Sequence, residues 1–458
     1  MKSRNKRIIW RIIALLLLLL SVWVATRWHV WFGNEPELAA EPISCPAHVL
    51  LTFGNENELS RNISWQCDTV LRTSFLELVD IDRGDTSRIE AQGEIFASRN
   101  GKAAYYVARL RNLKPNSCYR YRAVVGPRLG VAAAFSPWYM FRTYSPRDHL
   151  SFLFVGDVQD TIGGIANSLL RDALGHHPDC EFLVCGGDLI ERPANQYWAE
   201  TFHTLDSIGQ SMPILNVTGN HDYLKGIIQR LERRFPLVFS YFLDSKVDDN
   251  MVYTLKYGNS QIFVLDSNRE FPYLWIQRQW LEEQLQHSTA KWKILVLHHP
   301  LYSFKGKNNI IQRWLFDDLV HQYGVDLVLQ GHEHAYARMT GHYKNGAPSA
   351  PVYTVSHCSP KNYRIFFDDR FDKFGISGRY YQTVNVHGDT LAMATYDANT
   401  HALYDSLMIV MNPDKRANWR PVIDLGKDIT ENMDFTADPA NKKDRKFAAR
   451  IRDYLNRH

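Results

Sequence analysis

Between residues 151 and 329, six short and almost wholly apolar runs recur, at 151–155, 182–185, 214–217, 262–265, 294–297 and 325–329. Runs this short, apolar at successive positions, read as strands buried on both faces of a sheet. Helical text falls at 165–174, 275–286 and 310–323. Buried strands alternating with helices predict an α/β domain whose sheets are covered by helices. Alternating strands return over 382–411, with a turn at Gly388-Asp389, and are expected to close a sheet of the same domain.

Five of the six runs are followed at once by polar residues of one kind. Asp157 and Gln159 follow the first, Asp188 and Glu191 the second, and Asn220, His221 and Asp222 the third. His298 and His299 close the fifth, and His332 and His334 follow the sixth. Ligands of open α/β sheets gather at the carboxyl ends of the strands. The five clusters are therefore expected to converge, although about 180 residues separate the first from the last. Two Asp, one Asn and three His form an oxygen and nitrogen donor set without thiolate, suited to Fe, Zn or Mn. Six donors exceed one tetrahedral ion and suit two ions sharing a carboxylate. Two ions ~3.5–4 Å apart form the clamp used for in-line phosphoryl displacement. Any one cluster alone would read as a turn or a core histidine pair; five in this order at strand ends outweigh that reading.

The rest of the chain divides by texture. Residues 1–32 carry Lys2, Arg4, Lys6, Arg7 and Arg11 ahead of an apolar run at 12–25. This is a signal anchor or signal peptide, with residues 8–26 as the anchoring span. Trp23, Trp28 and Trp31 stand where an interfacial aromatic belt would lie. The positive-inside rule puts the remainder outside the cytoplasm, in a periplasm, on a cell surface or in a secretory lumen. Residues 46–144 alternate polar and apolar, with turns at Asn100-Gly101 and Lys114-Pro115, and predict a β-sandwich. The second domain is placed at 149–412. A charged tail at 413–458 follows, with one helix over 442–456 carrying Phe447, Ile451, Tyr454 and Leu455 on a face. The formal charge is +4, with the basic excess at the two ends, which argues against a nucleic-acid partner. The six cysteines are too sparse for a disulfide framework at 458 residues, and Cys185, inside an apolar run, is expected in the core.

The order Gly156-Asp157, Gly187-Asp188, Gly219-Asn220-His221-Asp222, His298-His299-Pro300, Gly331-His332-Glu333-His334 resembles the calcineurin-like metallophosphoesterases. Trp65 and the stretch Leu113-Lys-Pro-Asn-Ser-Cys118-Tyr-Arg-Tyr-Arg122 make the preceding domain similar to a fibronectin type III sandwich. Together, over about 46–411, the chain resembles purple acid phosphatases and their bacterial relatives. The resemblance implies two mixed sheets packed between helices, with a two-metal site at one edge. It implies that Asp188 bridges the ions, that Asp157 and His334 hold the first, and that Asn220, His298 and His332 hold the second. His221 would contact the phosphate and protonate the leaving group. His298 is taken as the ligand because it stands two before Pro300; His299 would lie behind it or against substrate.

Two departures from the pattern stand out. Glu191 occupies the place of the tyrosine that colours the purple enzymes, so no charge-transfer colour is expected; Glu191 is a candidate ligand. Gln159 stands where the wider superfamily often has His, and its amide oxygen is a second candidate ligand. Lys305 and Lys307 lie after His-His-Pro and are candidates to attract phosphate. The expected activity is hydrolysis of small phosphate monoesters by a metal-bound hydroxide. Alternatives are a phosphodiesterase or pyrophosphatase on the same metal core, or a surface binding protein with a vestigial metal site.

Overall fold

The computed structural model describes residues 2–54, 57–144, 148–241, 247, 251–306, 309–344, 346–412 and 419–458. Two sheets face each other in the second domain. In one, strands His149–Val155, Phe182–Cys185 and Ile214–Asn216 run parallel. Antiparallel strands Tyr380–His387, Thr390–Asp397 and Leu403–Val410 extend it. In the other, Ser260–Val264, Trp292–Val296, Leu327–Gln330 and Pro348–Val355 run parallel, with antiparallel strands on both sides.

The continuous apolar runs are explained by burial on both faces. Along Trp292–Val296, Ile294 and Val296 point between the two sheets, into a core shared with Leu183, Ile214 and Ile262. Leu295 and Leu297 point the other way, beneath helices Phe271–His287 and Ile310–Gln322, beside Leu281, Leu315 and Leu319. A period of two sends successive side chains to opposite sides, so Ile294 to Leu297 are apolar at every position, while Lys293 at the strand's start escapes by donating to Tyr323 O.

The N-terminal β domain has its own core of Val49, Leu51, Ile63, Trp65, Tyr106 and Tyr121. Its strand Ala47–Phe53 also pairs in parallel with Ile214–Asn216, at Thr52 opposite Ile214. One sheet thus runs through both domains, and the Tyr121 hydroxyl donates to Gln210 O at 2.8 Å.

The N-terminal helix spans Lys2–Phe32, and its stretch Ile8–Phe32 is apolar, unburied and 25 residues long. At 1.5 Å per residue this is about 37 Å, enough to cross a hydrocarbon core of about 30 Å. At the other end, strand Val422–Asp424 pairs with Leu403–Val410. Helix Lys442–Leu455 buries Phe447, Ile451 and Tyr454 in the second core. Leu455 does not join that face and is 54% exposed; at 100° per residue it sits about 80° round from Phe447. Helix Asn195–Leu205 is absent from the sequence reading, although Trp198, Phe202 and Leu205 carry its apolar spacing. All six cysteines are free, and Cys185 is buried. Asn62 and Asn216, each followed two residues on by Ser64 or Thr218 as in an N-glycosylation sequon, are both 1% exposed.

Candidate metal centre

The loops after the parallel strands bring the polar clusters to one edge. Asp157, Gln159, Asp188 and His332 all have positive φ, at 37°, 28°, 53° and 71°. Such backbone persists where its surroundings over-determine it, commonly at functional sites. The glycines of Gly-Asp, Gly-Asn and Gly-His make the close approach possible. A Cβ on Gly219 would stand 2.0 Å from Asp188 Oδ1, and one on Gly331 would stand 2.3 Å from Asp157 Oδ2.

The donor atoms converge. Ligand atoms of Asp157, Asp188 and His298 lie within 4.8 Å of one another. His298 Nε2 is 3.3 Å from Asp188 Oδ2 and 3.1 Å from Asn220 Oδ1. Asn220 Oδ1 is also 2.8 Å from His332 Nδ1. His334 Nε2 is 3.3 Å from Asp157 Oδ1. Two imidazoles are held by backbone at the opposite nitrogen: His298 Nδ1 at 2.9 Å from Gly186 O and His334 Nδ1 at 3.1 Å from Lys361 O. This is how metal-binding histidines are oriented.

Electrostatics favours a cation here. Burial raises the Asp188 carboxyl, but His298 and His221 outweigh it and hold it below the usual carboxylate range. Burial lowers the His298 imidazole, yet Asp188 and Asp157 bring it up to about 10. Two buried carboxylates thus draw positive charge into the cluster. Burial, with His299 and His298 beside it, pushes His332 well down. Gln159 is 1% exposed; its Nε2 donates to Asp188 Oδ2 at 3.2 Å and its Oε1 has no partner. That oxygen and the O/N donor set fit hard or borderline ions.

The other candidates lie around this cluster. The Glu191 carboxylate is 2.7 and 2.8 Å from Lys361 Nζ, so it is engaged by an ammonium rather than turned to the donors. His299 packs against His332 at 4.2 Å between rings, with Nδ1 3.1 Å from Ser267 Oγ. Burial, then His298, pushes it down to about 3. Lys305 Nζ sits 3.7 Å over the Tyr363 ring, and Tyr363 stacks on His334 at 4.2 Å. Lys307 falls outside the described residues. His221 donates its backbone N–H to Asp188 Oδ1 at 2.7 Å. Its ring Nδ1 is 2.6 Å from Glu191 O and 2.7 Å from Arg192 Nη1, with Nε2 3.4 Å from the same Nη1.

Three neighbours were missed from sequence. Arg192 directly follows Glu191 in the chain. Lys361 and Tyr363 lie in the loop after the strand Pro348–Val355, away from any metal-donor cluster. A cavity of about 130 Å³ lined by Asn220, His221, Arg192, Asn34 and Glu35 opens beside the donors. Two roomier cavities, about 340 and 430 Å³, lie between the domains and contain none of the donors.

Residues 150–336 match the calcineurin-like phosphoesterase family, and residues 46–143 match the purple acid phosphatase N-terminal domain. Purple acid phosphatase 4 of Arabidopsis thaliana is 25% identical over 57% of this chain and 84% of its own length. Purple acid phosphatase 15 of the same plant is 23% identical over 54% of this chain. The chain spans about half, 52%, of that relative. In structure, a purple acid phosphatase from yellow lupin seeds superimposes with a TM-score of 0.68 at 16% identity, over 81% of this chain and 75% of its own; this likeness speaks for the fold. A calcineurin-like phosphoesterase domain preceded by a purple acid phosphatase N-terminal domain places the chain among the purple acid phosphatase-like metallophosphoesterases.

Proposed function

We propose that the chain hydrolyses phosphate monoesters at a two-ion centre, outside the cytoplasm and anchored by its N-terminal helix. The observation that carries this is the meeting of Asp157, Asp188, Asn220, His298, His332 and His334 at one edge of two sheets. Asp188 is read as the bridge. Asp157 and His334 are read as holding one ion, with Gln159 Oε1 beside them, and Asn220, His298 and His332 as holding the other. Ions bound there would neutralise charge on the phosphoryl oxygens and acidify water.

The protein's own groups handle the leaving side. His221 lines the cavity, and its imidazole is read as carrying a proton to the leaving oxygen. Arg192, beside it, anchors a phosphate oxygen. Glu191 serves as the partner of Lys361 and provides no phenolate, so no charge-transfer colour is expected. His299, kept neutral, backs His332. Lys305, on its Tyr363 platform, supplies positive potential at the mouth.

The test is metal analysis of the purified chain with phosphate release from a monoester and a diester measured side by side. Two equivalents of metal and preferred monoester turnover are expected. Preferred diester turnover would assign the same centre to phosphodiesters, and an absence of both metal and turnover would refute the reading.

A further inference from the structure

The end of the apolar helix and the mouth of the donor site share a wall. Only Gly33 separates Phe32, the last helical residue, from Asn34. Asn34 Oδ1 accepts from Lys225 N at 2.9 Å, and its Nδ2 donates to Lys225 O at 3.1 Å. Glu35 then meets Arg192 Nε at 3.3 Å, and Glu37 accepts from Asn195 N at 2.9 Å. Asn34 and Glu35 line the cavity that holds Asn220 and His221. Two residues reach at most about 7 Å, which is the depth of one headgroup layer, roughly 5–8 Å. With residues 8–26 as the span, residues 27–32 add about 9 Å of helix, so a helix crossing a membrane would leave this mouth within about 16 Å of the hydrocarbon, at the outer surface of the headgroups.

The cavity's own lining is polar, with Arg99, Arg192, Lys225 and Gln229 beside Asn34 and Glu35, but large apolar side chains stand exposed next to it in the chain. Ile227 and Ile228, just past Lys225, are 77% and 63% exposed. Elsewhere, Phe271 and Trp275 begin one helix, and Ile310 and Trp314 begin the next. Trp314 is 63% exposed, and its ring lies 6.2 Å from Phe271 and 6.4 Å from Trp275, forming one aromatic shelf. Both helices follow strands whose carboxyl ends lie at the edge that carries His298. Gln312, in the same turn as Trp314, donates to Ser267 O at 3.1 Å, and Ser267 Oγ faces His299. Exposed apolar surface of this kind marks a contact surface, and aromatic rings at this level suit a membrane interface.

We infer that the catalytic face rests on the bilayer and that the phosphate monoester it hydrolyses is the headgroup of a membrane lipid. This rests on the phosphomonoesterase reading above. The full chain is reconstituted in phosphatidylcholine vesicles containing phosphatidic acid, and p-nitrophenyl phosphate serves as the soluble monoester. Turnover of the vesicle lipid is expected. The double variant Ile227→Asp/Trp314→Asp is expected to lose roughly tenfold or more of it, the scale of withdrawing two apolar side chains from lipid. Its turnover of the soluble monoester is expected to stay within about twofold. Hydrolysis of the soluble ester without the lipid, or an equal loss on both, overturns this inference and leaves the phosphatase reading standing; no turnover of either removes both. A photo-crosslinking residue at position 314 supplies a readout free of catalysis. Adducts with lipid support the inference, and adducts with another protein, or none, overturn it.

Discussion

The backbone N–H of His221 donates to Asp188 Oδ1 at 2.7 Å, across 33 residues of chain. One carboxylate oxygen is thus aimed by the loop of the next strand, while Oδ2 faces His298 and Gln159. Asp188→Asn preserves shape and replaces one carboxylate oxygen with an NH₂ donor. Phosphate release should fall by several orders of magnitude, as when a group acting within a concerted site is lost, with the circular dichroism spectrum unchanged. Full activity in the variant would remove Asp188 from the mechanism.

Gly219→Ala should act through the same oxygen. The added methyl would stand 2.0 Å from Asp188 Oδ1 and 2.2 Å from Asp188 N, and neither the backbone nor a carboxylate held from several sides can yield cheaply. Bound metal measured by mass spectrometry should drop well below wild type. Gly130→Ala meets nothing within 4 Å and should retain the metal; the variant is a control for handling, since its φ of +73° carries a small backbone cost of its own.

Chelation should destabilise the second domain more than the first. Removing the ions leaves buried Asp157 and Asp188 without a cation, and ligand linkage at about 100 times Kd is worth about 2.7 kcal/mol per site. Scanning calorimetry with and without chelator should show a lower transition temperature that metal restores. An unchanged transition would argue that the donors hold no ion in solution.

Glu181 makes stability depend on pH. Burial raises its carboxyl from 4.5 to about 7, against the opposing effects of the Tyr257 hydroxyl and Arg61. The folded state therefore keeps this proton over a window in which the unfolded state has lost it. Stability should be greatest below about pH 4.5 with respect to this group, and fall as pH rises through about 7, by about 3 kcal/mol in all. Urea midpoints across that window should show the slope, and Glu181→Gln should flatten it.

Arg338 is buried between Asp405 at 2.7 Å, Asp424 at 2.7 Å and Asp372 at 3.1 Å. Arg338→Met would leave Asp405, fully buried, without its cation. The expected cost is about 3–5 kcal/mol, read as a lowered denaturation midpoint with the metal content unchanged.

The strand runs were legible because burial on both faces demands apolar residues at most positions, with Asn216 and Asp326 as buried exceptions. Helix Lys442–Leu455 was legible from Phe447, Ile451 and Tyr454, while Leu455 showed that an apolar residue at the edge of a stripe can stay in water. The pairing of Ala47–Phe53 with Ile214–Asn216 left no local trace. Leu50 faces one core and Val49 and Leu51 the other, an alternation that any strand buried on two sides would show.

By itself, the sequence determined which residue types stand at the strand ends, because backbone period and apolar burial are local rules. Only the tertiary structure decided which atoms meet: that Asn220 Oδ1 lies between His298 and His332, and that Glu191 turns to Lys361. Those outcomes depend on how two twisted sheets stack and where loops more than a hundred residues apart cross. Such distances are set by packing of the whole core, and no short stretch of sequence encodes them.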